Sequence, residues 1–343
     1  MLTEEEVKKV KEALDKCQRP FFFFHDDPDG LASFLLFYKY KESGRGYCLK
    51  AAPHLTEEHA RKPKEYGADA VFILDIAMAD QEFIDELKVP VTWLDHHPVQ
   101  NPERALYCNP RKRDNLNIPT PYLCWQVVRQ NNWIAAIGCI GDWYYPEDLA
   151  EEFKKEYPDL LPEKIKTVEG ALYDSPVGTF VNVMSFNLKG ATDEVNTAVK
   201  IFTRIEGPYE IMKQETSKGN FLWKKYLQVR KEYEKILKMA LKEKPRGNMI
   251  VFTYSEDKLS LTKDLANELS YRNPDKLIVL GRRKSGEVRC SLRHAKKELP
   301  KALEKALQGV QGYGGGHEHA CGVAVKEEDF ERFLDNFRRE LDL

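Results

Sequence analysis

One stretch of the sequence predicts both the fold and the place of the functional site: Pro20-Phe21-Phe22-Phe23-Phe24-His25-Asp26-Asp27-Pro28-Asp29-Gly30. Its first five residues form a short, fully apolar run, which is typical of a buried strand. An imidazole and three carboxylates follow, and Gly30 permits a tight turn into the helix-like segment Leu31 to Tyr40. The stretch therefore predicts a strand that delivers polar side chains to one edge of a sheet.

The polar residues of this stretch can be interpreted in two ways. In an extended segment, alternation points His25, Asp27 and Asp29 to one side, where three potential ligands face one site, and it points Asp26 away. The alternative is an acidic turn that caps a helix, because an aspartate at the N-cap accepts backbone N–H bonds.

Further along the chain, metal-binding residue types recur at the ends of apolar segments: Asp75 after Ala70 to Leu74, Asp95-His96-His97 after Val89 to Leu94, Asp142 after Ile134 to Gly141, and His317 after Gly314-Gly315-Gly316. Carboxylates and imidazoles at strand ends can converge at the mouth of a sheet and bind divalent ions there. Of two adjacent histidines, one can bind a metal while the other donates to a phosphate, and a neighbouring aspartate can orient an imidazole. The recurrence predicts a metal-dependent enzyme.

The order of apolar runs predicts an α/β protein with two domains. From Met1 to about Glu206, strands alternate with helical patterns, as in a mostly parallel sheet covered by helices. Pro208 to Lys244 has helical periodicity and predicts a long, exposed connecting helix. A smaller β-rich core begins near Asn248. We therefore predict a catalytic domain over 1–206, a helical linker over 207–245 and a second α/β domain over 246–343.

Composition limits the class of protein. The chain has 343 residues, of which 42% are hydrophobic, and this is enough for two cores. Its net charge of −2 excludes a globally basic nucleic-acid binder, so a binding surface must be a local patch or depend on metal charge. The seven cysteines show no C-x-x-C spacing and fit a reducing cytoplasm. No segment predicts a signal peptide or a membrane span.

These motifs resemble those of a known family. Asp75, the triplet Asp95-His96-His97, Asp142 and the His-x-Asp-x-Asp-Gly opening resemble motifs of the DHH phosphoesterase superfamily. The run from Gly312 to Gly322 resembles the Gly-Gly-Gly-His signature of the associated DHHA1 domain. The resemblance spans most of the chain in the family's order. His25 stands two residues before Asp27, a spacing that resembles the RecJ-like nucleases, including the archaeal branch.

The resemblance implies a site with two divalent ions, Mn²⁺ or Mg²⁺. It implies that His25, Asp27 and Asp75 hold one ion, and that Asp29, Asp75, His96 and Asp142 hold the other. His97 would act as a catalytic donor to the phosphate, and Asp95 would orient it. The substrate-binding residues that it implies in the second domain are Arg293, Gly314, Gly315, Gly316 and His317.

Four other segments carry open alternatives. The glycine run also fits a plain turn between a helix and a strand, and His319 is a weaker candidate than His317. The basic segments Asn109 to Arg113 and Arg282 to Lys284 fit either a nucleic-acid patch or an ordinary exposed surface. Trp143-Tyr144-Tyr145 can stack nucleobases, but burial in a core is the stronger expectation.

The resemblance implies a single-strand exonuclease acting on DNA, and on RNA as a further substrate, with 3′ to 5′ polarity and a role in DNA repair or replication. The resemblance leaves open a helicase or replisome partner, as for the Hef-associated nuclease. It also leaves open whether the chain self-associates. Two rivals remain. One is an oligoribonuclease (nanoRNase) or dinucleotide phosphodiesterase. The other is an inactive replisome-binding module, which clustered carboxylates argue against, because they repel one another without metal.

Overall fold

The computed structural model describes residues 1–50, 54–255 and 259–342, with the side chain of His317 also outside the description. These residues fold into two units, Met1–Tyr226 and Leu227–Leu343, each built on its own five-stranded sheet. The predicted α/β class is therefore confirmed. No helix within the described ranges has the length and apolar character that crossing a membrane requires.

Within its described residues, the first unit contains seven strands: β1 (Pro20–His25), β2 (Arg45–Leu49), β3 (His54–Leu55), β4 (Ala70–Leu74), β5 (Met78–Ala79), β6 (Val91–Leu94) and β7 (Ala105–Cys108). The main sheet has the order β2-β1-β4-β6-β7, and every neighbouring pair in it is parallel. Strands β3 and β5 form a separate parallel pair. The apolar side chains of β1 and β4 are buried because a parallel sheet is covered on both faces. The predicted parallel sheet is confirmed.

The register of the sheet decides where the site lies. Phe24 pairs with Leu74, and Leu74 pairs with Leu94, so the three central strands end level with one another. Each strand is followed or ended by a residue of the predicted site, which brings His25, Asp75 and Asp95 to one edge of the sheet.

The helices of the first unit are α1 (Glu4–Lys16), α2 (Pro28–Lys41), α3 (Arg61–Tyr66), α4 (Gln81–Glu86), α5 (Arg111–Asp114), α6 (Thr120–Val128), α7 (Asn132–Gly141), α8 (Glu147–Glu156), α9 (Val168–Tyr173), α10 (Pro176–Asn187), α11 (Thr192–Phe202) and α12 (Pro208–Met212). Strands and helices were expected to alternate to about Glu206. Instead, the described part of this unit after Cys108 is helical.

Helix α7 shows why this region is helical. Its small, apolar residues pack closely on α2, and a Cβ added at Gly138 would lie 2.5 Å from the Cβ of Ala32. The close approach of two helices needs a glycine at such a position. As a result, Asp142 follows a buried helix and is its C-cap, whereas the other acidic ligands belong to strand ends or to α2.

The predicted connecting helix is present but differs from the expectation in two respects. It is divided into α12 and α13 (Ser217–Ala240), because Thr216 donates to Glu210 Oε1 at 2.6 Å and accepts from the Gly219 N–H. It is also amphipathic rather than simply exposed: Tyr226 and Tyr233 are among the residues of its buried face. The two compact units divide between Tyr226 and Leu227, within α13. The limits of the linker remain a prediction.

The second unit contains β8 (Met249–Ser255), β9 (Leu277–Lys284), β10 (Glu287–Arg293), β11 (Gly312–His317) and β12 (Ala320–Lys326), with helices α14 (Thr262–Arg272), α15 (Pro300–Ala306) and α16 (Phe330–Glu340). The sheet order is β11-β12-β10-β9-β8, and only the pair β8–β9 is parallel. Its core contains Val279, Leu292, Val323 and Phe333. The glycine run is an edge strand, so its interpretation as a turn is wrong.

Candidate metal centre

The first group of predicted ligands joins β1, the turn after it and the end of β4. His25 Nδ1 lies 3.2 Å from Asp27 Oδ2 and 3.5 Å from Asp75 Oδ2. One potential ligand atom from each of these three residues lies within 4.8 Å of the others. This separation is compatible with a single divalent ion between them.

The second group joins the start of α2, the end of β6 and the end of α7. His96 Nε2 lies 3.3 Å from Asp75 Oδ1 and 3.8 Å from Asp29 Oδ2. His96 Nδ1 lies 3.8 Å from Asp142 Oδ2. Asp29, His96 and Asp142 form a second group within 4.8 Å, and Asp75 contacts both groups. All six residues predicted as ligands are thus brought together, although their division between two ions stays a prediction.

The two predicted aspartate ligands after β1, Asp27 and Asp29, do not both lie in an extended segment as the alternation predicted. Asp27 is extended and is the N-cap of α2, where its side chain accepts the Gly30 N–H at 3.1 Å. The helix begins at Pro28, a residue suited to the first helical position, so Asp29 lies in the first helical turn. The capping alternative is therefore correct for Asp27, and the same residue also faces His25. A Cβ at Gly30 would lie 2.5 Å from the His25 carbonyl oxygen, so glycine is needed there.

Burial shows that the acidic residues fit a metal. Asp29 and Asp75 are each 1% exposed, and their carboxylate oxygens accept no hydrogen bond within the described part of the chain. Unsatisfied buried carboxylates are costly unless a cation is present. Asp75 also has φ of +56°, a conformation that is rare outside glycine and that recurs at functional sites. The oxygen-rich set with imidazoles suits Mn²⁺ or Mg²⁺.

The site retains protons strongly when no cation is bound. Burial, reinforced by the charge of Asp75, raises the pKa of Asp29 well above its usual range. Burial lowers the pKa of His25, but Asp27 and Asp75 outweigh it and raise that pKa well above its usual value. Burial also lowers the pKa of His96, but its contacts with Asp75, Asp142 and Asp29 outweigh this effect and raise that pKa well above its usual value. A divalent cation must therefore displace protons when it binds.

His97 is oriented by a buried hydrogen-bond network. Its Nδ1 lies 2.8 Å from Asp95 Oδ1, and its backbone N–H donates to Asp95 Oδ2 at 3.0 Å. Asp95 is fully buried, and Asn109 Nδ2 donates to the His97 carbonyl oxygen at 3.0 Å and to Tyr107 Oη at 2.8 Å. Because Nδ1 donates to the carboxylate, Nε2 is left for a second partner. This geometry is compatible with the predicted roles of His97 and Asp95.

His96 has its own supporting contacts. Asn117 Oδ1 lies 2.8 Å from His96 Nδ1, and an amide oxygen can only accept, so the Nδ1 atom carries the proton. Nε2, which faces Asp75 and Asp29, is then the nitrogen that can offer its lone pair to a metal once the metal has displaced its proton. Arg111 Nε donates to the His96 carbonyl oxygen at 2.5 Å. No sequence pattern pointed to Asn117, which lies in an exposed loop between α5 and α6.

Comparison with known proteins identifies a family for the second unit and a known fold for the chain. A family model for the DHHA1 domain matches residues 247–342. The structure of RecJ from Thermus thermophilus in complex with Mn²⁺ has a TM-score of 0.70 and 19% identity, and the match covers 98% of this chain and 54% of that one. The chain thus spans about half the length of that RecJ. The comparison with curated proteins gives no significant match.

Two further solved structures match along nearly their whole length. A manganese-bound exonuclease RecJ has a TM-score of 0.65 at 17% identity, covering 100% of this chain and 95% of that one. The DHH domain of a member of the s1p family of ribosomal proteins has a TM-score of 0.68 at 16% identity, covering 98% and 90%. The chain has the fold of these RecJ and DHH-domain structures, and the expected DHHA1 domain is confirmed over residues 247–342. The archaeal branch remains a prediction.

In the DHHA1 domain, the glycines of β11 have two different environments. A Cβ at Gly314 would lie 2.6 Å from the Gly322 carbonyl oxygen, and one at Gly316 would lie 2.3 Å from the Ala320 carbonyl oxygen. These two glycines are required for the pairing with β12. In contrast, a Cβ at Gly315 would meet nothing within 4 Å, so the fold does not require a glycine there. The open space leaves room for a ligand.

The other predicted substrate-binding residues lie nearby in the same sheet. Arg293 is half-buried, and its Nε donates to Asn267 Oδ1 at 2.6 Å. It pairs in register with Ala320, which in turn pairs with His317. The side chain of His317 lies outside the described part of the structure. His319, the weaker candidate, is exposed and has Nδ1 3.0 Å from the Lys297 carbonyl oxygen.

The basic segment after β7 has mainly structural contacts. Besides the Arg111 contact with His96, Lys112 Nζ donates to the Tyr107 carbonyl oxygen at 3.2 Å. Arg113 binds Glu6 Oε1 at 2.8 Å. These contacts favour the alternative in which the segment is not a nucleic-acid patch.

The later basic segment, at the turn between β9 and β10, is also engaged. Arg282 donates to the Leu259 carbonyl oxygen at 3.1 Å, and Arg283 pairs with Glu327. The interpretation as an ordinary hairpin surface is therefore favoured here too.

Trp143 differs from the burial that was expected for it. It is 38% exposed, whereas Tyr144 and Tyr145 are half-buried. Trp143 has φ of +59°, a rare backbone conformation for a bulky residue, directly after the predicted ligand Asp142. Its ring lies 6.3 Å from that of Tyr173. An exposed indole next to the metal centre is compatible with base stacking.

Proposed function

We propose that this chain is a two-metal phosphodiesterase that acts as a 3′ to 5′ exonuclease on single-stranded DNA, and on RNA as a further substrate. The observation that carries the proposal is the convergence of six predicted ligands around the buried oxygens of Asp29 and Asp75. Two divalent ions, when bound there, supply a nucleophilic water and stabilise the charge that develops on the phosphate.

The chain's own residues define the remaining roles. Asp95 holds His97 with Nε2 available, so His97 can donate to an oxygen of the scissile phosphate. Asn117 and Arg111 fix the position of His96. Arg293 and the glycine strand offer a guanidinium and an accessible backbone, both suited to phosphate groups. We propose that they bind the substrate, with His317 as a further donor.

The substrate class rests on the resemblance to RecJ. Two of the similar solved structures are RecJ proteins with bound manganese. The proposal therefore includes Mn²⁺ as the working metal, single-stranded nucleic acid as the substrate, and a cytoplasmic role in DNA repair or replication. A helicase or replisome partner belongs to the same proposal.

The proposal is tested by digestion in Mn²⁺ of DNA and RNA single strands of two to thirty nucleotides, each labelled at the 5′ end. We expect a descending ladder on long single-stranded DNA, and no products with Asp75→Asn as the matched control. Cleavage confined to the shortest oligomers would replace the exonuclease with an oligoribonuclease or dinucleotide phosphodiesterase. Inertness of the metal-loaded protein on every substrate would overturn the proposal.

A further inference from the structure

One large aromatic side chain beside the metal centre remains accessible to solvent. Of the five tryptophans in the chain, three are buried in the core and Trp223 is half-buried. Trp143 is instead 38% exposed, although it directly follows the predicted ligand Asp142. Consecutive Cα atoms are about 3.8 Å apart, so the indole is attached to the backbone next to a ligand. It offers an aromatic surface close to the proposed place of hydrolysis.

The end of α7 shows how the backbone places Trp143. The Tyr144 N–H donates to the Cys139 carbonyl oxygen at 3.0 Å. The Trp143 N–H donates to the Ile140 carbonyl oxygen at 3.1 Å. These two bonds form a Schellman motif, which ends a helix on a residue in the left-handed conformation, most often glycine. Trp143 is that residue, with φ of +59°, so a bulky side chain occupies a position that favours glycine.

Packing gives only a partial reason for the indole. The next aromatic residue serves the fold, since the half-buried ring of Tyr144 lies 6.1 Å from that of Tyr122. Trp143 contacts the ring of Tyr173, at 6.3 Å and tilted by 56°. A tilted contact of this kind can steady an indole while much of its surface stays accessible. A tryptophan that is strained and incompletely buried is expected where function requires it.

We propose that Trp143 stacks on a nucleobase of one of the two nucleotides that the scissile phosphate joins. The inference rests on the proposed function and deepens it, because it assigns a residue that recognises the base. Every base has an aromatic face, so stacking binds single strands without reading their sequence. A base inside a duplex is already stacked and has no free face for the indole. Stacking also adds affinity that does not depend on positive charge, which suits a chain of net charge −2.

The test changes the base and the side chain separately. The substrates are thymidine oligomers of about twelve nucleotides that keep every sugar and phosphate. One has all its bases. The others each lack one base, at either of the two nucleotides of the 3′ end, at either of the two of the 5′ end, or in the middle. The proteins are the wild type, Trp143→Gly, Trp143→Ala and Trp143→Phe. Phe221→Ala is the matched control, because Phe221 is an aromatic residue of α13 that is 41% exposed.

We expect Trp143→Gly to raise KM about tenfold on the complete oligomer, as for the loss of one base stack. For the wild type, removal of the base that the indole contacts should raise KM by a similar factor. The two changes together should raise KM no further, because both remove the same contact. Trp143→Phe should keep most of the affinity, and Phe221→Ala should resemble the wild type.

The contribution of Trp143 to the fold is measured on the same variants. Trp143→Gly and Trp143→Ala both lose the contact with Tyr173, but only glycine suits the left-handed position. We therefore expect Trp143→Gly to melt about 2–4 °C above Trp143→Ala. Affinity for Mn²⁺, measured by calorimetry, should stay within about twofold in Trp143→Gly, because Asp142 is unchanged. A loss of Mn²⁺ affinity as large as the loss of substrate affinity would overturn the proposal.

An equal effect of Trp143→Gly on the complete oligomer and on every oligomer that lacks a base would also overturn it. Binding of fluorescent oligomers with Ca²⁺ in place of Mn²⁺, measured by anisotropy, separates this inference from the proposed function. If the exonuclease activity fails, weaker binding by Trp143→Gly only where the contacted base is present still supports stacking. Equal binding of the complete oligomer by the wild type and Trp143→Gly contradicts it.

Discussion

Asp75 joins the two groups of ligands. Its Oδ2 lies 3.5 Å from His25 and its Oδ1 lies 3.3 Å from His96, and its backbone is held at φ of +56°. A carboxylate in this position can serve both groups, which explains why a strained conformation is kept at the end of β4.

Substitution of Asp75 should therefore remove nearly all activity. We expect Asp75→Asn to lower kcat more than about a thousandfold, since charge stabilisation from the ions would be lost. The measurement is the rate of hydrolysis of a single-stranded oligomer in Mn²⁺. Asp80→Asn is the matched control, because Asp80 lies nearby in sequence but pairs with His54 at 2.6 Å. A variant at Asp75 with a tenth of the wild-type rate would refute the assignment.

Asn117 should affect metal affinity rather than the fold. Its contact with His96 Nδ1 keeps Nε2 available, and loss of such a contact typically weakens metal binding by about tenfold to a hundredfold. We expect Asn117→Ala to show this loss in Mn²⁺ titration calorimetry, with an unchanged melting temperature of the metal-free protein. Leu116→Ala, in the same exposed loop, should bind Mn²⁺ normally. Normal affinity in Asn117→Ala would exclude the positioning role.

At the scale of the secondary-structure element, the sequence predicted the central strands well. It predicted less well which elements position the ligand side chains. Phe21 to Phe24 and Val71 to Leu74 are continuous apolar runs, which a buried parallel strand requires. The start of α2 was less predictable, because Asp27 suits both a ligand and an N-cap. Asn117 could not be found at all, since a polar residue in a loop shows its partner only after folding.

The glycines of β11 provide a matched pair of variants. Gly314→Ala places a methyl group against β12 and should destabilise the protein by about 1–3 kcal/mol. Gly315→Ala should leave stability nearly unchanged, because that side is open. If this space binds substrate, Gly315→Ala should nevertheless raise KM severalfold.

Urea denaturation and steady-state kinetics measure the two effects separately. Unchanged kinetics for Gly315→Ala would exclude a substrate role at this residue. Equal destabilisation by both substitutions would contradict the described environments of the two glycines.

At the scale of the whole molecule, composition carried little information about the site. The net charge of −2 excluded only a globally basic surface and gave no indication of where the charged side chains converge. That convergence depends on β1, β4 and β6 ending level with one another at one edge of the sheet. The motifs, in contrast, indicated the ligands, because the resemblance to the DHH superfamily implied the set His25, Asp27, Asp29, Asp75, His96 and Asp142.

The stability of the protein should depend on pH and metal together. The folded-state pKa of His25 and of His96 is raised, so both contribute stability that is present below about pH 6.5 and is lost as pH rises through the folded values. The pKa of Asp29 is also raised, so its contribution to stability is likewise lost as pH rises, from about pH 4 upward.

We therefore expect Mn²⁺ to raise the melting temperature more at pH 8 than at pH 6.5, because fewer protons compete with the metal. Differential scanning calorimetry with and without Mn²⁺ measures this difference. A metal-induced shift that is equal or larger at the lower pH would contradict the proton displacement.

The central claim is that the cluster around Asp75 holds two catalytic metal ions. The most direct measurement counts the Mn²⁺ ions bound per chain by calorimetry and follows hydrolysis of a single-stranded oligomer in the same titration. The account predicts two bound ions for the wild type and activity that rises only as the second site fills. It predicts that Asp75→Asn loses both the bound ions and the activity. Full activity with no bound ion, or an unchanged ion count in Asp75→Asn, would contradict it.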